Sequence, residues 1–330
     1  MRKFARYTAT VCTAAALSGF FGCGTTPVEN GGADGKTAGT FKLYYDSDGL
    51  ANNVINDLAV DFNRSGLWAA TQKGVSFFSF KDSTWTAYGT ESGLPNLKVT
   101  SIAVNLGTVW AGTISGPASL NGASWNELSD LGVLPDTFVS VIESMPGLDY
   151  SLWFGTRTGT ARRSPSGEWT SFTSQGGILF NTVTSIARDL TGTIWVGTLN
   201  GINLYDGSKW TVSAASLPSA DVRAIYTDSY GAVWVGTASG VAEFQGTKQI
   251  RYGTADGLPS PGINAIIEDF SKILWVATDT GVAWFDEKVW KKLTLPVQVE
   301  GAQVTSLASD PLTKSLWIGT GRGLVRYRQQ

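Results

Sequence analysis

The chemistry open to this chain is bounded first by a missing side chain: its 330 residues include no histidine. Ser-His-Asp and Cys-His nucleophiles, imidazole metal ligands and a group titrating near neutral pH from its ordinary value are excluded together. Carboxylates recur instead, with Asp61, Asp189, Asp228, Asp269 and Asp310 at one repeated place, where a short acid caps a turn. DSDG (46–49) holds part of a calcium loop but lacks the later acids and the closing Glu, so it reads as a turn. GTGRG (319–323) lacks the G-x-G-x-x-G spacing of a phosphate cradle and ends a strand rather than opening a helix. No G-x-S-x-G nucleophile elbow occurs. The expectation is a protein with no catalytic residue, no metal and no cofactor. With a formal charge of −2 and no basic block, no nucleic acid partner is expected either.

What positions the remaining polar side chains is a repeat. IWVGTLNG (194–201) returns as LWAATQKG, VWAGTISG, LWFGTRTG, VWVGTASG, LWVATDTG and LWIGTGRG. The seven Trp are Trp68, Trp110, Trp153, Trp195, Trp234, Trp275 and Trp317, spaced 42, 43, 42, 39, 41 and 42 residues apart. A period near forty signals a propeller or a solenoid. Each period contains four short strand-like runs separated by D-x-x-G, T-x-x-G, D-G and G-L-P turn signals, which is a propeller blade. Strands stacked blade on blade are buried on both faces, so Trp and Val can sit side by side. The Gly after Val leaves room for a bulky neighbour, and the Gly three places after each Thr suits a loop at positive φ. GLVRYRQQ completes only three strands of the seventh blade. Phe41-Lys42-Leu43-Tyr44-Tyr45 mirrors Ile250-Arg251-Tyr252, each running on to Asp-Gly-Leu, and supplies the fourth. The fold class is all-β: a seven-bladed β-propeller over 41–330, four antiparallel strands per blade, closed by the N-terminal strand.

VTSIARDLTGTIWVGTLNGI (183–202) resembles the two-component regulator propeller repeat, V-x-x-I-x-x-D-x-x-G-x-L/I-W-x-G-T-x-x-G. That resemblance implies a sensor propeller of the kind found ahead of a transmembrane helix and a kinase. These 330 residues contain neither, so signalling through a fused kinase is not expected. Streptogramin lyases share the seven-bladed architecture, but their catalytic histidine has no counterpart here.

In a four-stranded meander the four-to-one and two-to-three connections emerge at one end of every blade. At that end stand Lys73, Arg157, Asp279 and Arg322 in T-x-x-G loops, with Lys98, Asp136, Phe180, Asn181, Asp221 and Arg223 in or beside the other set. Singly these are solvated loop residues; as a ring around a channel mouth they are the candidate ligand-binding residues. Three functions stay open. A binding or sensing module needs a polar, aromatic-lined mouth; an enzyme (a lyase or hydrolase) needs clustered carboxylates or Tyr in the channel; a scaffold needs a broad apolar outer patch.

The N-terminus reads as an address. Arg2, Lys3 and Arg6 precede a short apolar run, Tyr7 to Phe21, as in a secretory signal. Phe20-Phe21-Gly22-Cys23 resembles a lipobox, which implies a signal over 1–22, lipidation at Cys23 and a Gly- and Thr-rich tether over 23–40. Cleavage near Ala14–Ala16, or retention as an uncleaved anchor, are the alternatives. The expected product is an exported monomer, held in the bacterial cell envelope by lipid alone at its outer membrane. Its expected partner is an envelope protein, peptide or glycan.

Overall fold

The computed structural model describes residues 39–145, 147, 149–174 and 182–329. Among the described residues, twenty-eight strands form seven four-stranded antiparallel sheets, with only single-turn 3-10 helices between them. Blade 1 is built from Ile55–Asp61, Gly66–Thr71, Gly74–Ser79 and Trp85–Tyr88, and five further blades follow the same consecutive order. Blade 7 takes Val304–Asp310, Ser315–Thr320 and Gly323–Gln329 from the C-terminal side. Its fourth strand is Gly39–Tyr44, paired from Gly39 opposite Gln329 to Tyr44 opposite Leu324. Phe41 and Tyr44 are buried, and the Phe41 ring lies 4.9 Å from that of Tyr327. The ring is closed as the repeat count requires, and the first and last blades share no free edge.

The repeated phrase owes each letter to packing. Six of its seven Trp are buried, while Trp195 keeps partial exposure. The indole N–H of Trp68, Trp195, Trp234 and Trp275 donates to the turn acids Asp61, Asp189, Asp228 and Asp269 at 2.8–3.0 Å. The turn acid therefore caps the backbone with one oxygen and holds the Trp with the other, a second duty that the turn signal alone did not reveal. A Cβ on Gly112, Gly155, Gly197, Gly236 or Gly319 would come within 2.5–2.8 Å of the first Val or Ile of the next blade. Each Thr hydroxyl donates to the carbonyl of the Gly three places on, as Thr71 does to Gly74 at 2.8 Å. Six of those seven Gly hold positive φ; Gly281 does not, which corrects the expectation of a left-handed residue in every such loop.

All seven innermost strands share one irregularity: the pairing slips between their first and third residues. Such a bulge re-aims the side chain it carries. In six blades the re-aimed residue bonds the carbonyl opening the next blade's inner strand. Asn56 Nδ2 donates to Val99, Thr100 Oγ1 to Val139, Ser140 Oγ to Val183 and Thr184 Oγ1 to Val222, at 2.5–2.6 Å. Asn264 Nδ2 donates to Val304 (2.9 Å), and Thr305 Oγ1 to Ile55 (2.7 Å) across the ring closure. This belt fastens blade to blade around the channel and leaves one gap. Between blades 5 and 6 the residue is Arg223.

Candidate functional site

Arg223, too long for the belt, turns toward the channel mouth. Its Nε and Nη2 lie 3.3 Å from Asp221 Oδ2, and its Nη1 lies 3.4 Å from both Asp279 Oδ1 and Asn264 Oδ1. Asn264 Nδ2 also donates to Asp279 at 3.1 Å. Asp221 comes from the loop entering blade 5 and Asp279 from the two-to-three loop of blade 6, 56 residues from Arg223. Gly262 makes this approach possible, since a Cβ there would stand 2.0 Å from Asp279 Oδ2 and 3.0 Å from Arg223 Nη1. The Arg223 side chain is one-third exposed and its bonds are long. Asp221 Oδ1 is buried without a hydrogen-bond partner. One cation faces two carboxylates, with acceptor and donor capacity left over.

Three of the candidate residues, Asp221, Arg223 and Asp279, are thus brought together. Arg157, in the two-to-three loop of blade 3, makes a second group at the same end, with its guanidinium 3.9 Å from the Phe138 ring centroid, a cation–π stack. Asp136 positions that ring by accepting the Phe138 N–H at 2.6 Å. Lys73, Lys98 and Arg322 are exposed on their own loops and join neither group. Phe180 and Asn181, like Cys23 and the segments 1–22 and 23–38, lie outside the described residues.

Below the mouth, the inner strands enclose a channel cavity of about 640 Å³. Asp57, Glu143 and Tyr226, none of them among the candidate residues, line it. Asp57 is held by Ser101 Oγ and Ile102 N–H on Oδ2 and by Leu58 N–H on Oδ1, all at 2.8–2.9 Å. Burial pushes its pKa up, and those hydrogen bonds oppose the push. Glu143 keeps some accessible surface, yet protein surrounds its carboxyl. Burial, and then the charge of Asp57, raise its pKa to about 8, so at neutral pH it is mostly a neutral acid. Burial likewise raises the Tyr226 phenol. Glu143 and Tyr226 stand where four of the seven blades have Ala59, Ala103, Ala187 and Ala308. That departure from a small residue was the available sequence signal. No group of three or more His, Cys, Asp or Glu side chains among the described residues could hold a metal ion.

The comparisons agree with this geometry at the level of the fold. Residues 216–239, which run through the first two strands of blade 5, match the family described as two component regulator propeller. No curated protein sequence matches the chain. Its structure is similar to an extracellular domain described as part of a hybrid two component system of B. thetaiotaomicron (TM-score 0.75, 20% identity). The match covers 88% of this chain and 42% of that one, so the chain spans less than half of that protein's length. Virginiamycin B lyase from Staphylococcus aureus is similar with a TM-score of 0.69 at 14% identity, over 87% of this chain and 98% of the lyase. PorZ, a surface component of the type-IX secretion system of Porphyromonas gingivalis, is similar with a TM-score of 0.67 at 18% identity, over 87% and 48%. One shared architecture thus serves a regulator domain, a lyase and a secretion component, and fold alone does not choose among them. The chain is a seven-bladed β-propeller that carries the two component regulator propeller repeat.

Proposed function

We propose that this protein is an exported, non-catalytic binding or sensing propeller that takes a glycan or peptide at the mouth formed by Arg223, Asp221, Asp279 and Asn264. The observation that carries this reading is the break in the belt. Six blades spend the bulge residue on holding the ring together; blade 5 gives up that bond and presents a guanidinium to the lumen. Two carboxylates outnumber that cation, which disfavours a polyanion and suits a ligand rich in hydroxyl or amide groups. Phe138 adds an aromatic face at the same end. The similarity to a regulator's extracellular domain supports sensing outside the cytoplasm, and the Cys23 motif supports a lipid anchor there.

The test is a glycan and peptide array probed with the full chain, followed by calorimetry on each hit. Arg223→Ala is expected to weaken binding at least tenfold, which is ~1.4 kcal/mol. A ligand that binds wild type and Arg223→Ala equally would remove the mouth from the site. The anchor is tested separately: labelled palmitate should mark wild type but not Cys23→Ser, and an unlabelled wild type refutes it.

Asp57, Glu143 and Tyr226 favour a second reading, a histidine-free lyase or hydrolase. Glu143 would be its proton donor at neutral pH. Against it, Asp57 already accepts three protein hydrogen bonds, two of them from Ser101 and Ile102 of blade 2, so it acts as a clip between blades 1 and 2. A structure similar to this chain is described as a catalytically inactive histidine-to-alanine variant of virginiamycin B lyase, and this chain has no histidine to play that part. Mass spectrometry of each array hit after incubation decides: a product formed by wild type and not by Glu143→Gln would make the protein an enzyme.

A further inference from the structure

At the end opposite Arg223, the one-to-two turns carry apolar tips. Phe62, Leu106, Tyr150, Leu190, Tyr230 and Leu312 belong to blades 1, 2, 3, 4, 5 and 7, and each is 44–78% exposed. They make up six of the eleven large hydrophobic side chains exposed among the described residues. Neighbouring turns touch between blades 1 and 2, 2 and 3, and 4 and 5. Arg64 Nη1 donates to the Gly107 carbonyl and Asn105 Nδ2 to that of Tyr150, at 3.1 and 3.0 Å. Leu190 packs over Gly231 of blade 5, where a Cβ would lie 2.9 Å from its Cδ1. The tips therefore form a crown around the second channel mouth rather than scattered surface residues.

Local turn chemistry does not account for Leu106 and Tyr150. Leu106 and Gly107 form a two-residue hairpin with both φ positive, at 49° and 79°. The first place in such a turn favours Asn, Asp or Gly, and a bulky residue there is strained. Tyr150 is held at φ 47° with the same penalty. Leu106 and Tyr150 thus combine exposure, apolar character and a strained backbone.

The course of the chain indicates what that is. Gly39, the first residue of the ring-closing strand, pairs with Gln329 at the far end of the third strand of blade 7. It therefore lies at the end that carries the crown, sixteen residues after Cys23 in the sequence. We infer that the crown is a membrane-docking surface that inserts its apolar tips among the headgroups and upper acyl chains of a phospholipid bilayer. The orientation rests on the lipid-anchor reading of Cys23. One acyl chain alone binds a membrane marginally, and a second contact is needed for stable attachment. Exposed Lys314, on the turn of blade 7, places a cation at headgroup height, while Lys272 of blade 6 is paired with Glu268 at 3.6 Å. Docked this way, the protein turns the Arg223 mouth away from the bilayer toward arriving ligand.

The experiment uses full chain carrying Cys12→Ser and Cys23→Ser, so that acylation plays no part. Leu190→Cys or Leu199→Cys then carries an environment-sensitive dye at one end or the other. With vesicles of phosphatidylethanolamine and phosphatidylglycerol, the dye at 190 is expected to shift to the blue and to be quenched by brominated lipid. The dye at 199 should stay in water. Replacing Leu106, Leu190, Tyr230 and Leu312 together by Ser should reduce vesicle flotation at least fivefold with an unchanged circular dichroism spectrum. No shift at 190 at millimolar lipid, or an equal shift at 199, overturns the inference. A shift at 190 that needs no lipid and tracks dimer formation in sedimentation assigns the crown to a second copy of the chain and overturns it as well. Failure of palmitate to label Cys23 refutes the anchor without touching this result, because the vesicle assay uses unacylated protein.

Discussion

The two ends of this propeller are built from the same seven repeats and differ in what their loops do with polar groups. At the crown end the turn acids are consumed internally: Asp228 Oδ1 accepts Tyr230 and Ala232 N–H while its Oδ2 takes the Trp234 indole. With the backbone satisfied, the tip residue is free to be apolar. At the Arg223 end the loop Thr and Gly satisfy each other in the same way, but the adjoining bulge residue is spent either on the belt or on the lumen. Variation in a repeat protein is thus informative where the repeated hydrogen bond is given up, as at Arg223, and where the apolar pattern is broken, as at Glu143.

The comparison requires a closed ring, and breaking that ring should have the largest effect. A chain starting at Ala51 loses the buried Phe41 and Tyr44, each costing ~3–5 kcal/mol when its ring is removed. It should melt ~10 °C or more below a chain starting at Ala38, by scanning calorimetry. Equal melting would mean the Gly39–Tyr44 strand does not close blade 7.

A second experiment probes the lumen between the ends. The Glu143 pKa is raised from 4.5 to about 8, so the folded protein holds a proton that the unfolded chain releases. Its stabilising contribution is full below about pH 4.5 and is lost as pH rises toward 8. Glu143→Gln should therefore match wild type near pH 4 and exceed it by ~2 kcal/mol or more at pH 8, in urea titrations at both pH values. A constant difference across that range would place the carboxyl in water.

Arg223→Thr sharpens the contrast by restoring the belt. The new hydroxyl can donate to the Ile263 carbonyl, as Thr184 does to Val222. Stability should rise by ~1 kcal/mol while ligand affinity falls at least tenfold, the exchange expected where a site has been built at the cost of packing. A destabilised Arg223→Thr would show the guanidinium to be structural.

The smallest effects are expected for Arg322→Ala at the mouth end and Lys209→Ala at the crown end, each within ~0.5 kcal/mol of wild-type stability. Arg322 stands apart from the Arg223 group, so its loss should weaken ligand binding less than loss of Arg223. Selective loss of affinity in Lys209→Ala would put the ligand on the wrong end.

Much of this was legible in the sequence, and for a definite reason. A stacked blade repeats its neighbours, so Trp, Gly and Thr recur wherever the same contact recurs, and counting them yields seven blades and the shared closing blade. Asp221, Arg223 and Asp279 could be named because meander parity places every four-to-one and two-to-three loop at one end. That Arg223 meets Asp279 across 56 residues, that Gly262 makes room for it, and that Arg157 lies on Phe138 depend on side-chain directions in adjacent blades. Glu143 and Tyr226 were visible as departures from Ala, but their shared cavity exists only once the inner strands surround a channel. The crown needed both levels: its residues follow the turn acids in the sequence, and closure of the ring turns them into one surface. Sequence determines this protein's architecture because each repeat makes the same local contacts; tertiary structure alone decides its candidate sites, because they form between blades, where distant segments set distance, burial and charge.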